Sequence, residues 1–154
     1  MIDLIERFEA FTTSVTKAYK CIQKIKLTET ERMGLKASHV MYLYYLGKNP
    51  EGLTATQLCK FCIEDKAAVS RTMVDLTEKG LVKPVEIDSG RKYRTKMVLT
   101  AEGNEINKQL NQVIAEAVSQ ASSNLSETER EHFYHVFFQI TDHLEKICDS
   151  LQQK

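Results

Sequence analysis

Apolar side chains recur at three- and four-residue steps through most of the chain, the spacing that places them on one face of a helix. Six segments show this pattern: residues 1 to about 26, 38–47, 54–63, 65–79, about 100–121 and from 126 onward. The polar stretch Thr28–Gly34 is predicted to be a loop. Ser or Thr followed three residues later by Gln or Glu predicts that helices begin at Thr54 and at Ser126. The pattern therefore predicts a mostly α-helical protein.

The pattern changes to strand-like runs after Gly80, a residue suited to ending a helix. One run contains Leu81, Val82, Val85 and Ile87, and its Pro84 favours an edge strand or a bulge. Asp88-Ser89-Gly90 has turn composition, and the return run alternates through Thr95, Met97 and Leu99. Two short helices followed by a hairpin predict a winged helix-turn-helix, which places a helix and a charged hairpin on the same side.

The last helix carries Phe133, Phe137, Ile140, Leu144, Ile147 and Leu151, a heptad spacing suited to packing against another helix. The first helix is also rich in apolar residues. The predicted fold class is thus mostly α with a small β wing, flanked by N- and C-terminal dimerisation helices. We expect one domain over residues 1–154, with a DNA-binding lobe at about 36–99 and a dimerisation lobe formed by 1–35 and 100–154.

Composition changes this picture little. The 154 residues have a formal net charge of zero, but four of the six residues from Arg91 to Lys96 are basic. Such a run is often a solvated hairpin, although the preceding helix pair favours contact with DNA. No apolar run reaches the length of a membrane span and no signal peptide is evident, so we expect a cytoplasmic protein with no membrane partner and with four reduced cysteines.

Three stretches carry a family resemblance: LTATQLCK at 53–60, DKAAVSRTMVDLTEKGLV at 65–82 and VLTAEG at 98–103. Together they resemble the MarR family of winged-helix transcription regulators. The resemblance implies a homodimer that binds double-stranded DNA at a pseudo-palindromic operator, acts as a repressor, and is released by a small ligand or an oxidant. Many members carry an Asp-Arg pair in the wing tip, whereas here Asp88 is the nearest acid to Arg91.

The expected DNA contacts follow from this arrangement. The helix at 65–79 would enter the major groove with Lys66, Ala67, Ser70 and Arg71. The hairpin at 88–94 would lie along the minor groove with Arg91, Lys92 and Arg94.

The resemblance also implies candidate regulatory residues. A small aromatic or anionic effector would bind near Tyr19, His39, Tyr42 and Tyr45. Cys21 is a candidate redox-sensing thiol, because peroxide-sensing relatives use an N-terminal cysteine held by tyrosines.

Other chemistries are less well supported. His132, His135 and His143 have helix spacings found in zinc sites, but no further ligands complete a set, so no metal and no cofactor are expected. Cys59 and Cys62 form a CxxC pair that is either redox-active or simply packed in the helix. No catalytic constellation is evident, so an enzyme is not expected. The alternatives are a winged-helix protein-interaction module and a thiol-based redox-sensing regulator.

Overall fold

The computed structural model describes residues 3–85 and 95–153. Its elements run in the order α1 (Leu4–Glu31), α2 (His39–Lys48), α3 (Ala55–Cys62), α4 (Lys66–Glu78), β1 (Val82–Pro84), β2 (Met97–Leu99), α5 (Ala101–Ala121) and α6 (Glu127–Gln152). This order confirms the predicted mostly α fold with a small β wing. No helix within the described residues is long and apolar enough to cross a membrane.

Helix α1 is longer than predicted, and the expected loop at Thr28–Gly34 was partly wrong. The hydroxyl groups of Thr28 and Thr30 donate to the carbonyl oxygens of Lys24 (2.9 Å) and Lys26 (2.7 Å), so these polar residues bond to their own helix. Gly34, at φ +67°, allows the chain to leave the helix, and the amide of Leu35 then donates to the Thr30 carbonyl at 2.9 Å.

The helix-turn-helix begins and ends as its sequence predicts. The Thr54 hydroxyl accepts from the Gln57 amide at 3.2 Å, while the Gln57 side chain accepts from the Thr54 amide at 2.9 Å. An Asp65 carboxylate oxygen accepts from the Ala68 amide at 2.8 Å at the start of α4. Gly80 adopts φ +70° just after α4 and turns the chain into the sheet.

The sheet is antiparallel, with Val82 opposite Leu99 and Pro84 opposite Met97. It also has a connection that was not predicted: the Leu53 amide donates to the Met97 carbonyl at 3.0 Å, and the Met97 amide donates to the Leu53 carbonyl at 2.8 Å. Leu53, two residues before α3, thus adds a bridge to β2, which ties the base of the wing to the helix-turn-helix.

The core of the winged lobe consists of fully buried side chains from α2, α3 and α4, among them Leu43, Leu46, Leu58, Val69 and Leu76. The start of α5 lies very close to the backbone of this lobe at Leu81. A Cβ atom on Gly103 would lie 2.0 Å from the carbonyl oxygen of Leu81, so this approach requires glycine.

Residues 1–113 and 114–154 form two compact units. In the second unit α6 has no buried residue, and most of its apolar residues, including Phe133, Leu144, Ile147 and Leu151, are exposed. Helix α1 of the first unit exposes a comparable set, including Leu4, Ile5, Phe8 and Ile22. The assignment of these helices to a dimerisation lobe stays a prediction.

Candidate nucleic-acid interface

Helix α4 has one buried side and one solvated side. Val69 and Leu76 are fully buried, because they fill the core of the winged lobe. The opposite side, called here the outer face, carries Lys66, Ala67, Ser70, Arg71 and Val74, all of them exposed. The structure therefore brings the four predicted α4 residues together on a surface open to a partner.

A polar contact fixes α4 against the start of α2. The Lys36 ammonium lies 2.5 Å from a carboxylate oxygen of Asp75, and Nε2 of His39 lies 3.5 Å from the same oxygen. Nδ1 of His39 accepts from the Lys36 amide at 3.2 Å, so Nε2 is the nitrogen that carries the proton toward Asp75. This Lys36–His39–Asp75 cluster restricts rotation of α4 about its own axis.

The protonation of this cluster follows from burial and charge. Burial lowers the pKa of the His39 imidazole, with the Asp75 carboxylate opposing the shift and Lys36 and Lys79 supporting it. The hydrogen bond from Lys36 holds the pKa of the Asp75 carboxyl below its usual range. A neutral imidazole therefore faces a carboxylate that is already paired with Lys36.

A groove of about 410 Å³ runs beside α4, opposite the Asp75 side. It is bounded by α3 through Ala55, by α4 through Ser70 and Val74, and by Thr95 and Met97 at the base of the wing. The outer face is thus continuous with the surface that leads to the wing. The predicted tip contacts Arg91, Lys92 and Arg94 lie outside the described residues.

A second cavity, of about 460 Å³, lies among α1, α2 and the α3–α4 turn. We call it the tyrosine cavity; it is lined by Tyr19, Gln23, Lys26, Ala37, Ser38, Met41, Tyr42, Tyr45, Phe61, Cys62, Ile63 and Glu64. Three of the four residues predicted to bind an effector therefore share one cavity. His39 does not line it, because its ring is directed toward Asp75 on α4.

The tyrosine cavity contains charged groups that the sequence analysis missed. The Tyr42 hydroxyl donates to a Glu64 carboxylate oxygen at 2.5 Å, and burial raises the pKa of that phenol. Lys26 is half-buried, and burial lowers the pKa of its ammonium. The cavity therefore has a poorly solvated cation on α1 and a carboxylate on the helix-turn-helix.

The helix-turn-helix lies within a region that matches a known protein family in sequence. Residues 33–92 match the family model described as MarR family, and this range includes α2, α3, α4 and β1. The resemblance to the MarR family is confirmed. No curated protein matches the chain in sequence.

The MarR-type fold extends over nearly the whole chain. A putative MarR family transcriptional regulator from Listeria monocytogenes, complexed with a 26mer DNA, is 15% identical, with a TM-score of 0.79 and coverage of 94% of this chain and 90% of that one. S. aureus MepR in a DNA-binding conformation is 19% identical, with a TM-score of 0.79 and coverage of 87% and 98%. A MarR regulator from Methanosarcina mazei Go1 is 16% identical, with a TM-score of 0.78 and coverage of 96% and 94%. These likenesses show a shared fold.

Residues 33–92 thus resemble the MarR family in sequence, and the chain shares the fold of MarR regulators. Proteins of this family are DNA-binding regulators and not enzymes, in agreement with the expectation from sequence.

The cysteines and the α6 histidines lie in different surroundings. Cys21 is exposed on α1, and Cys62 borders the tyrosine cavity, where burial raises its thiol pKa to about 12. His132, His135 and His143 are exposed on α6. Within residues 3–85 and 95–153, no three His, Cys, Asp or Glu side chains are grouped as metal ligands.

Proposed function

We propose that this protein is a homodimeric repressor that binds a pseudo-palindromic operator, with α4 of each protomer in the major groove and the wing along the minor groove. One observation carries the proposal: the outer face of α4 exposes Lys66, Ser70 and Arg71 while its opposite side fills the core. A helix presented in this way contacts base edges with the residues of its exposed face. Lys66 and Arg71 supply positive charge for phosphates or for guanine.

The exposed apolar residues of α1 and α6 support a dimer. Phe8 is 68% exposed, Phe133 is 54% exposed and Leu151 is 65% exposed in a single chain. Exposed residues at heptad spacing are covered when a second helix packs against them. Two-fold pairing also fits the operator, because a symmetric dimer binds two half-sites about one helical turn apart.

A test begins with selection of bound sequences from random duplexes, followed by gel shifts at several salt concentrations. Arg71→Ala is expected to weaken the selected site roughly 5- to 150-fold per half-site and to flatten the preference at one position, since a bidentate arginine–guanine contact contributes about 1–3 kcal/mol. Lys108→Ala, which removes an exposed cation from α5, is the control and should leave the preference unchanged. Equal affinity of Arg71→Ala and the unchanged protein for every sequence would contradict the proposal.

The wing is tested through the dependence of affinity on salt. Arg91→Ala and Arg94→Ala together should lower the slope of log affinity against log salt by about four per dimer, since each neutralised phosphate contributes close to 0.9. We expect the two arginines to share the loss, because the acidic partner common in the family is absent from the tip. An unchanged slope would mean that the basic run is a solvated hairpin.

The lining of the tyrosine cavity supports the proposal that a small aromatic acid releases the protein from its operator. Its aromatic walls suit a ring, and Lys26 offers a poorly solvated cation to a carboxylate. The ring would contact Phe61 and Ile63 next to the start of α4, so binding would disturb the helix that contacts DNA.

Benzoate is a suitable probe of this site. It should release the selected operator from the unchanged protein and from Lys24→Gln, an exposed neighbour on the same helix, but not from Lys26→Gln. Equal release from all three proteins would exclude Lys26 as the anion contact. Release by peroxide that is abolished by Cys21→Ser would instead favour the redox-sensing alternative.

The rival function is a winged helix used only for protein contacts. It predicts that selection recovers no preferred sequence and that affinity for any duplex disappears at moderate salt.

A further inference from the structure

The centre of the outer face of α4 is apolar, although the residues beside it are polar. Seven residues make almost two full turns, so Ala67 and Val74 lie on one line along the helix. That line is directly opposite the buried line through Val69 and Leu76. Ser70 and Arg71 flank it, and the side chain at its C-terminal end, Val74, is 55% exposed.

The fold of the single chain does not account for valine at this position. An exposed β-branched residue is a weaker helix former than Ala, Glu, Lys or Gln, so Val74 does not stabilise α4 through helix propensity. It borders the groove beside α4, yet more than half of its surface stays in contact with water. Its methyl groups are therefore available to whatever surface α4 meets.

We propose that Val74 is a specificity-determining residue that contacts the 5-methyl group of one thymine in each half-site. The inference rests on the proposed function, in which α4 lies in the major groove. The thymine methyl is the apolar group that base edges present in that groove, and no polar side chain recognises it as well as an apolar one. Val74 follows Arg71 by three residues, less than one turn, so the thymine lies within about two base pairs of the base that Arg71 contacts.

Replacing thymine with uracil removes only the methyl group, so it isolates this contact. Each thymine of the selected operator is replaced in turn, and affinity is measured with the unchanged protein. We expect one position per half-site at which the replacement weakens binding about fourfold, corresponding to about 0.8 kcal/mol for one buried methyl group. Replacement in both half-sites should weaken binding more than tenfold.

Val74→Ala should bind the thymine and uracil operators equally at that position, while its preference at the position contacted by Arg71 remains. Val74→Thr, which keeps the branched shape and exchanges a methyl for a hydroxyl, should lose part of the discrimination. The matched control is Val118→Ala, since Val118 is 51% exposed and belongs to a different helix, α5. It should retain the full thymine preference.

The outcomes separate this inference from the proposed function. If Val74→Ala discriminates thymine from uracil as strongly as the unchanged protein at every position, Val74 does not contact the methyl group. If the preference for one base still depends on Arg71, the proposed function survives that result. If selection recovers no specific site, both are overturned. Equal melting temperatures of the Val74 variants and the unchanged protein would show that the differences arise at the DNA surface.

Discussion

The winged lobe and helix α6 are both rich in apolar residues, but those of the winged lobe are mostly buried and those of α6 are mostly exposed. In the winged lobe Leu43, Leu58 and Leu76 are completely buried within one chain. In α6 no residue is buried, and Ile147 and Leu151 are more than half exposed. Apolar residues at regular spacing thus have two different environments here, since one set completes a core and the other set is exposed in the single chain.

Because we propose that a second chain covers α6, we expect the stabilities of the two regions to depend on protein concentration in different ways. The stability of a core closed within one chain does not change with concentration. A surface covered by a second chain contributes only when that chain is bound, so its contribution increases with concentration.

The largest effect is expected from charges placed on the heptad positions of α6. Phe137→Asp with Leu144→Asp should convert dimers to monomers. Each lost apolar side chain contributes about 1.5–3 kcal/mol, and the dimer contains four of them, so the dissociation constant should rise by more than about 10⁴. Analytical ultracentrifugation measures it. His135→Asp with Lys146→Asp, on the other side of α6, is the control; the same dissociation from both pairs would contradict the assignment of the heptad positions to the interface.

The next effect concerns the core of the winged lobe. Leu76→Ala should destabilise the protein by about 2–5 kcal/mol, because it leaves a cavity where Leu76 is fully buried. Urea denaturation at several protein concentrations should show the same loss at each concentration. A loss that shrinks at high concentration would indicate that this core also depends on the second chain.

A smaller effect should appear with pH. Burial lowers the pKa of His39 below its ordinary value of 6.5, so the unfolded chain binds the proton more readily than the folded one. The stabilisation is therefore complete above about pH 6.5 and is lost as the pH falls below it, by at most about 1.4 kcal/mol per pH unit. His39→Gln should remove this part of the pH dependence in thermal melts, whereas His132→Gln on α6 should leave it in place. An identical dependence in both variants would exclude His39 as its origin.

The smallest effect concerns the reactivity of one thiol and not the stability of the fold. With its pKa raised to about 12, the Cys62 thiol is protonated at neutral pH and should resist alkylation by iodoacetamide in the folded protein. Peptide mass spectrometry should show slow labelling of Cys62 that becomes fast in denaturant. Rapid labelling in the folded state would mean that the tyrosine cavity opens on the timescale of the reaction.

Sequence predicted the parts of this fold that depend on local chemistry. The caps at Thr54, Asp65 and Ser126 and the stop at Gly80 each act within a few residues of themselves, so spacing was sufficient to place them. The end of α1 was placed too early because threonine is common in loops. Here the hydroxyl groups of Thr28 and Thr30 donate to carbonyl oxygens of the helix itself, which the sequence pattern does not reveal.

The features that were missed join residues far apart in sequence. The Lys36–Asp75 pair, the Tyr42–Glu64 hydrogen bond and the Leu53–Met97 bridge depend on how helices and strands meet, which no local pattern reports. The grouping of Tyr19, Tyr42 and Tyr45 was anticipated through the family resemblance. His39, which was predicted with them, does not line this cavity, since a tertiary contact directs its ring to α4.

The central claim is that two chains, each with a complete winged lobe, bind one duplex through their α4 helices. The most direct measurement is the mass of the complex between the protein and its selected operator, determined by sedimentation at increasing protein-to-DNA ratios. The account predicts that two chains bind each duplex in a single step, and that half-sites moved apart by half a helical turn lose this complex. Saturation at one chain per duplex, or binding that ignores the spacing of the half-sites, would contradict it.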